Sequence, residues 1–315
     1  VTAPPQPASR AALIAGAACY AYWGVVALVF QAMSRFGATP WEIIGHRTFW
    51  SVFWAGGLVL LAGQRREALQ VLRSPRILAW LVLSTLLISL NWSLFVWTVI
   101  HGGTLEVSLG YYITPLISMA AGALVFRERL DRIALAAIAL AGAGVVLQTA
   151  ALGHPPWASL LLALSFGAYG VVRKRVKAEA QTGLFVEGLI MTVPGGLYLL
   201  WLQGSGQGHF LTSPGAAVLL FLAGPLTVVP LALFSWAARR MPLSTMGFLQ
   251  FLSPTLSFLI GAAEGEALGP LRLASFGLIW VGIAVFAWGA WRALRRAKQL
   301  AAQAQAEAVG QRVAG

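Results

Sequence analysis

The distribution of positive charge constrains this chain most. Once the long apolar runs are marked, all but three of the 22 Lys and Arg residues fall in every second connecting segment. The exceptions are Arg35 and Arg272, in the alternate segments, and Arg47, inside a run. Basic loops are retained on the cytoplasmic side of a membrane, so such alternation marks a chain that crosses repeatedly. Crossing ~30 Å of hydrocarbon takes ~20 apolar residues in a helix. Ten stretches qualify, approximately 11–33, 41–62, 77–101, 107–126, 133–150, 157–172, 184–201, 217–238, 244–263 and 271–291. An even number of crossings with basic terminal segments places both ends in the cytoplasm. The expected fold is therefore an all-α membrane protein of ten transmembrane helices.

Composition excludes the main soluble classes. Only 10% of residues are charged and 58% are hydrophobic, against roughly 25% charged in a soluble domain. The net charge of +12 is spread over short segments and not gathered on one face, so it points to topology and anionic lipid and away from nucleic acid. A single cysteine, Cys19, forbids an internal disulfide, and the four His, one Cys and absence of a glycine-rich phosphate loop give no metal or cofactor signature.

The chain also repeats itself. Phe95-x-Trp97 with Pro115 recurs as Phe234-x-Trp236 with Pro254, an offset of 139. Tyr22-Trp23-Gly24-Val25-Val26 corresponds to Ala168-Tyr169-Gly170-Val171-Val172, and Glu42 to Glu187. The expected organisation is a cytoplasmic tail over 1–10, a five-helix unit over 11–152, a second over 153–292, and a basic then Ala/Gln-rich cytoplasmic tail over 293–315. Five is odd, so the two units are inverted relative to each other. Inverted repeats are the architecture of alternating access around a central site.

Several strings resemble one family. Asn91-Trp92, Ser108-Leu109-Gly110-Tyr111-Tyr112-Ile113-Thr114-Pro115-Leu116, Glu128-Arg129-Leu130, Gly224-Pro225-Leu226-Thr227 and Leu243-Ser244-Thr245-Met246-Gly247-Phe248-Leu249-Gln250-Phe251-Leu252-Ser253-Pro254-Thr255 resemble the RarD branch of the EamA-type drug/metabolite transporter superfamily. The resemblance implies ten helices, a bacterial inner-membrane location, and export or exchange of small metabolites or drugs. One departure is visible: Gly265 and Ala267 flank Glu266 where the superfamily often has a basic residue.

Polar residues inside the runs are the candidate site, because an ionised side chain at bilayer depth costs at least ~2.5 kcal/mol unless it faces a partner or water. Arg47 would supply positive charge for an anionic or zwitterionic solute, with Trp50 one turn on; alternatively Arg47 snorkels or pairs locally. Glu42 and His46 share a face and, with Glu187, are candidates for gating or proton relay, against a Glu187 simply solvated at the cytoplasmic surface beside Arg175 and Lys177. Asn91 would contact the solute or bridge helices. Trp97 would line the pocket or belong to the interfacial aromatic belt. Tyr111 and Gln250 occupy equivalent repeat positions, and Tyr112 adjoins them. Pro115, Pro225, Pro230 and Pro254 are expected to kink or break their helices. Gly142, Gly144, Gly277 and Gly282 would allow close helix approach, internally or at a homodimer seam, so the chain would be a monomer or homodimer. Glu128 and Glu266 read as loop anchors.

The expected function is thus a secondary transporter of a small organic solute, with a proton as candidate coupling ion and no cofactor. The competing classes are an intramembrane enzyme acting on a lipid-borne substrate, for which paired acids or a nucleophile with its base are wanting, and a channel or sensor, for which polar rings are wanting.

Overall fold

A computed structural model describes residues 9–100, 104–150, 154–263 and 269–314. Among these there is no strand. The helices are α1 (Arg10–Ser34), α2 (Pro40–Leu61), α3 (Arg65–Leu72), α4 (Pro75–Ile100), α5 (Thr104–Val125), α6 (Arg132–Ala150), α7 (Trp157–Arg175), α8 (Ala180–Gly204), α9 (Pro214–Leu222), α10 (Pro225–Ala238), α11 (Leu243–Gln250), α12 (Leu252–Ala263) and α13 (Pro270–Ala314). Among the described residues five stretches, 75–98, 132–150, 180–204, 214–238 and 273–292, are long and apolar enough to cross a membrane, and shorter apolar stretches cover 10–26 and 109–125. Among the described helices the short α3 has a distinctly polar face.

Helix starts follow local chemistry. Thr39-Pro40 opens α2 and Ser213-Pro214 opens α9: the hydroxyls accept from the backbone N–H of Glu42 and Ala216, both at 3.2 Å, and proline occupies a position whose N–H has no helical partner. The eighth apolar run is broken before Pro225, giving α9 and α10. The ninth is broken at Phe251, three residues ahead of Pro254, so that Pro254 sits in the first turn of α12, where its missing N–H is harmless. By contrast α5 runs through Pro115 without a break, α10 through Pro230, and α8 through Pro194, a further internal proline.

The helices pair in a regular way. α2 packs on α8, α6 on α13, α5 on α7 and α11, α4 on α7, and α1 on α10, α11 and α12. Exchanging α1 with α7, α2 with α8, α4 with α9–α10, α5 with α11–α12 and α6 with α13 leaves this set of pairings unchanged. The α6–α13 seam depends on glycine: a Cβ on Gly144 would lie 2.8 Å from the Ser275 carbonyl oxygen, and one on Gly282 would lie 2.8 Å from that of Ala137. Gly142 and Gly277 face open space and take no part in it. The Ser275 hydroxyl bonds the Gly144 carbonyl at 2.8 Å across the same seam.

With the 35–39 turn placed uppermost, the upper end of the bundle also carries the 205–213 loop, as the contact of Gly37 with His209 shows. The lower end carries residues 62–64, 126–131, 176–179 and 239–242, joined by bonds from Thr182 to Gln64, Lys174 to Glu128 and Arg239 to Glu179.

Candidate functional site

Five helices converge on Arg47, about two turns into α2. Its Nε donates to the Thr227 hydroxyl of α10 at 3.0 Å, and its guanidinium lies 4.4 Å from the centroid of the Trp92 ring of α4. Thr227 commits its own proton to the Ala223 carbonyl at 2.7 Å, so its oxygen is left to accept from Arg47. The hydroxyls of Tyr22 on α1 and Tyr111 on α5 lie within electrostatic reach of the same guanidinium. A hydrogen bond and an aromatic face thus hold the cation, the latter contributing about 0.5–2 kcal/mol.

These residues border a hollow. Tyr111 is 51% exposed and Arg47 is half-buried, so the space between the helices that carry them is open to a water-sized molecule. Phe95 lies beside Tyr111, ring centroids 6.3 Å apart. The Tyr22 hydroxyl is buried and has no hydrogen-bond partner among the described residues. A separate apolar cleft of about 220 Å³ lies between α2 and α8, lined by Trp41, Ile44, Thr48 and Tyr198 among others; it uses a different stripe of α2 and does not include Arg47.

Above the hollow, Glu42 is 1% exposed and is clasped by the 205–213 loop. The His209 backbone N–H donates to one carboxylate oxygen at 2.6 Å, and the His209 ring Nδ1 lies 2.8 Å from the other. Gly37 allows this: its φ is +87°, and a Cβ there would strike the His209 ring at 2.8 Å. His46, one turn below Glu42, stacks on Phe210 at 4.9 Å and accepts from the Trp50 indole N–H at 3.0 Å. Trp50 closes the cluster against Phe221 at 5.0 Å. Glu42, His46 and Trp50 are therefore together, roofed by a loop that carries no sequence signal of its own for this role.

Below the hollow, Glu187 is 4% exposed and not solvated at a surface. It pairs with Arg173 at 3.4 Å, and accepts from the Ser84 hydroxyl and, at 3.4 Å, from the Tyr169 hydroxyl. Arg173, grouped with the basic loop residues by its place in the sequence, is 1% exposed and also binds the Ser235 hydroxyl at 3.2 Å and the Ala180 carbonyl at 3.1 Å. Tyr169 and Arg173, four apart, put a phenol and a guanidinium on one face of α7; that spacing is the only sequence signal that could have exposed the role of Arg173.

Other candidates lie elsewhere. Asn91 spends its amide on the Leu162 carbonyl at 2.9 Å and the Ser165 hydroxyl at 3.0 Å, bridging α4 to α7. Gln250, 5% exposed, accepts from Ser118 at 2.9 Å in the α5–α11 seam. Tyr112 faces a different neighbour from Tyr111 and lies edge-on to Phe276 in the cluster formed with α6 and α13. Trp97, 53% exposed, lies two turns above Asn91 near the end of α4. Glu128 is an anchor: its carboxylate accepts the Leu243 and Ser244 backbone N–H groups at 2.6 and 2.9 Å, capping α11, and pairs with Lys174 at 2.9 Å. Burial raises the Glu128 carboxyl, but the bonds from Ser244, Lys174 and Leu243 outweigh it and hold it below the usual carboxylate range. Glu266 and its neighbours, and residues 1–8 of the N-terminal tail, lie outside the described residues. No group of three or more His, Cys, Asp or Glu placed to hold a metal occurs among the described residues.

Comparison with known proteins supports the same class. Residues 10–150 match the EamA-like transporter family. The chain is 39% identical to protein RarD of Streptomyces exfoliatus over 92% of both chains. It is 42% identical to an uncharacterized transporter of Pseudomonas aeruginosa, covering 92% of this chain and 97% of that one. It is 36% identical to protein RarD of Escherichia coli, covering 91% and 97%. A solved crystal structure shares the fold, with a TM-score of 0.63 and 19% identity over 87% of this chain and 96% of its own. The chain belongs to the RarD branch of the EamA-type drug/metabolite transporter superfamily.

Proposed function

We propose that this membrane transporter moves a small organic solute across the bacterial inner membrane by alternating access between two inverted five-helix units, 11–152 and 153–292, spanning the bilayer ten times with both termini cytoplasmic. The observation that carries the reading is Arg47 at the meeting of helices from both units, beside the half-exposed Tyr111. The exchange symmetry of the helix pairings supports the duplication, and the concentration of Lys and Arg at the lower end supports its assignment to the cytoplasm. Export is the direction the family suggests.

On this reading Glu42 and Glu187 stand at the two mouths. Glu42 with His209 and the His46–Phe210–Trp50 stack closes the upper one, and Glu187 with Arg173 closes the lower. Rocking of the two units against each other would separate the contacts at one mouth while preserving those at the other. Protons are the proposed coupling ion, carried by Glu42 or Glu187 when its partner withdraws; transport indifferent to a pH gradient, with Glu187→Gln at full activity, would overturn the coupling. Trp50 and Tyr111 are proposed as solute contacts from opposite sides of Arg47. Gln250, Asn91 and Tyr112 are proposed to shape the hollow from behind, by fixing the helices that bear its lining.

Counterflow tests the whole reading. Proteoliposomes loaded in turn with unlabelled amino acids, nucleobases or amphenicols should accumulate the matching labelled solute in at least one case, chemically unchanged, and Arg47→Ala should reduce uptake to background. A solute recovered in altered form would mean catalysis. Uptake unaffected in Arg47→Ala would remove the central site.

A further inference from the structure

We propose that the lower end of the bundle binds a phosphate monoester, held by Arg175 and Lys177 in a polar pocket where the α7–α8 connection, α3 and the end of α10 meet. The site is separate from Arg47 and goes beyond the transport reading.

Residues 176–179 join α7 to α8, and the chain leaves α7 in extended form, with φ −63° and ψ 128° at Val176. Successive side chains of an extended segment point to opposite sides. Arg175 and Lys177 are accordingly exposed, while Val176 and Ala178, 4% and 2% exposed, are buried in an apolar cluster with Val71 and Val186. The stretch anchors itself by its apolar residues and presents two cations. Both line a pocket of about 400 Å³, whose other charged lining residues are Glu67 on α3, Lys174, Glu179 and Arg239 at the end of α10.

Four cations thus face two carboxylates, and the pairings show which charges are already matched. Lys174 donates to Glu128 at 2.9 Å and to the Met241 carbonyl at 3.1 Å. Arg239 donates to the Ala178 carbonyl and, at 3.2 Å, to Glu179, whose carboxylate also lies 3.8 Å from Arg240. Glu67 accepts the Glu179 backbone N–H at 2.7 Å and the Thr182 hydroxyl at 3.4 Å. Arg175 lies 5.6 Å from the Phe126 ring, and among the described residues neither it nor Lys177 pairs with a carboxylate. With Glu128 and Arg240 counted, five cations surround three carboxylates, so two positive charges remain in excess. A phosphate monoester carries about −1.5 to −2 at neutral pH and has three oxygens with which to bridge two cations. A carboxylate would neutralise only one of them. Six of the eight lining residues are charged, which suits a phosphate and disfavours an apolar guest. Binding there fixes the connection between the two helices that bear Arg173 and Glu187. The phosphate can belong to a soluble ester or to a lipid headgroup at the same membrane face.

The test uses the full-length protein in dodecylmaltoside micelles at constant ionic strength, read by thermal shift. Glycerol 3-phosphate supplies the soluble monoester, with chloride as its control; dioleoylphosphatidic acid mixed into the micelle supplies the lipid one, with dioleoylphosphatidylcholine as its control. At least one monoester should raise the melting temperature, saturably and beyond its control. A response to phosphatidic acid alone identifies a headgroup site; a response to glycerol 3-phosphate, with or without the lipid, identifies a site open to soluble esters. Lys177→Gln, which loses no bond among the described residues, should weaken binding about fivefold, and the double variant Arg175→Gln, Lys177→Gln roughly 25-fold. Arg73→Gln removes an exposed cation of the same end that does not line the pocket, and should leave the affinity unchanged. No shift beyond the controls with either monoester overturns the proposal. So does wild-type affinity in the double variant, or an equal loss in Arg73→Gln, which would mean general attraction to a basic surface.

Discussion

Glu42 and Glu187 are both almost wholly buried and are restrained in opposite ways. Glu42 is held from across the molecule, by the backbone and ring of His209, a loop residue whose side chain is 30% exposed. Glu187 is held from the neighbouring helix by Arg173, with 1% of that guanidinium side chain exposed, and by the hydroxyls of Ser84 and Tyr169. An imidazole exchanges its proton readily and a guanidinium does not. The upper contact can therefore open by moving a loop, whereas the lower one opens only by separating helices and hydrating a buried ion pair. One buried carboxylate sits in a latch and the other in a lock.

The contrast can be broken at the lock first. Arg173→Leu leaves Glu187 charged and without its cation in the interior, and should cost about 3–5 kcal/mol in denaturant or thermal unfolding. Adding Glu187→Leu should restore most of that loss; equal stability of single and double variants would show that the two residues are not coupled. At the latch, Glu42→Gln removes the charge from two bonds to His209, a loss of about 1.5–3 kcal/mol. The effect should be local, appearing as faster amide exchange over 205–213 with little change in global unfolding. Exchange slower than in the wild type would contradict the clasp.

A smaller perturbation of the same latch is Gly37→Ala. It imposes a left-handed backbone on a residue with a Cβ and pushes that atom into the His209 ring, for a cost of about 1–2 kcal/mol. Loop exchange in Gly37→Ala should resemble that in Glu42→Gln; wild-type exchange would mean the ring is not seated against residue 37.

Glu128 gives the weakest expected effect and a control outside the hydrocarbon. Its carboxyl titrates lower in the folded chain than in the unfolded one, so the folded state is favoured above the unfolded value and loses that contribution as pH falls through the folded value. Unfolding followed between neutral and acid pH should show a steeper acid limb in the wild type than in Glu128→Gln, whose cap is weaker by about 1 kcal/mol at neutral pH. Parallel acid limbs would remove Glu128 as the α11 cap.

How much of this was legible from residues depends on the distance over which each feature acts. The helices are local: α1, α2, α4, α6 and α7 begin and end within a few residues of the apolar runs, because length, hydropathy and caps such as Thr39-Pro40 operate within a turn or two. The break at Phe251 is displaced from Pro254 for an equally local reason, since proline is tolerated where no N–H is required. Arg173 is hard to place from sequence because adjacency to Lys174 and Arg175 makes it look like a member of a solvated charge run, and only the packing of α7 on α4 and α10 turns it inward. Asn91 and Gln250 are recognisable as buried amides, but which surface their hydrogen bonds reach is a property of the neighbouring helix.

The sequence alone determined that this is a helical membrane protein with few charges inside its apolar runs, Arg47 among them. Hydrophobic length and charge bias are sums over neighbouring residues and survive any packing. Only the tertiary structure decided that Arg47 rests on Thr227 and Trp92, that His209 closes over Glu42, and that Arg173 is the counter-charge of Glu187. Those are contacts between helices far apart in the chain, fixed by how close glycine seams let helices approach and by which buried donor finds an acceptor.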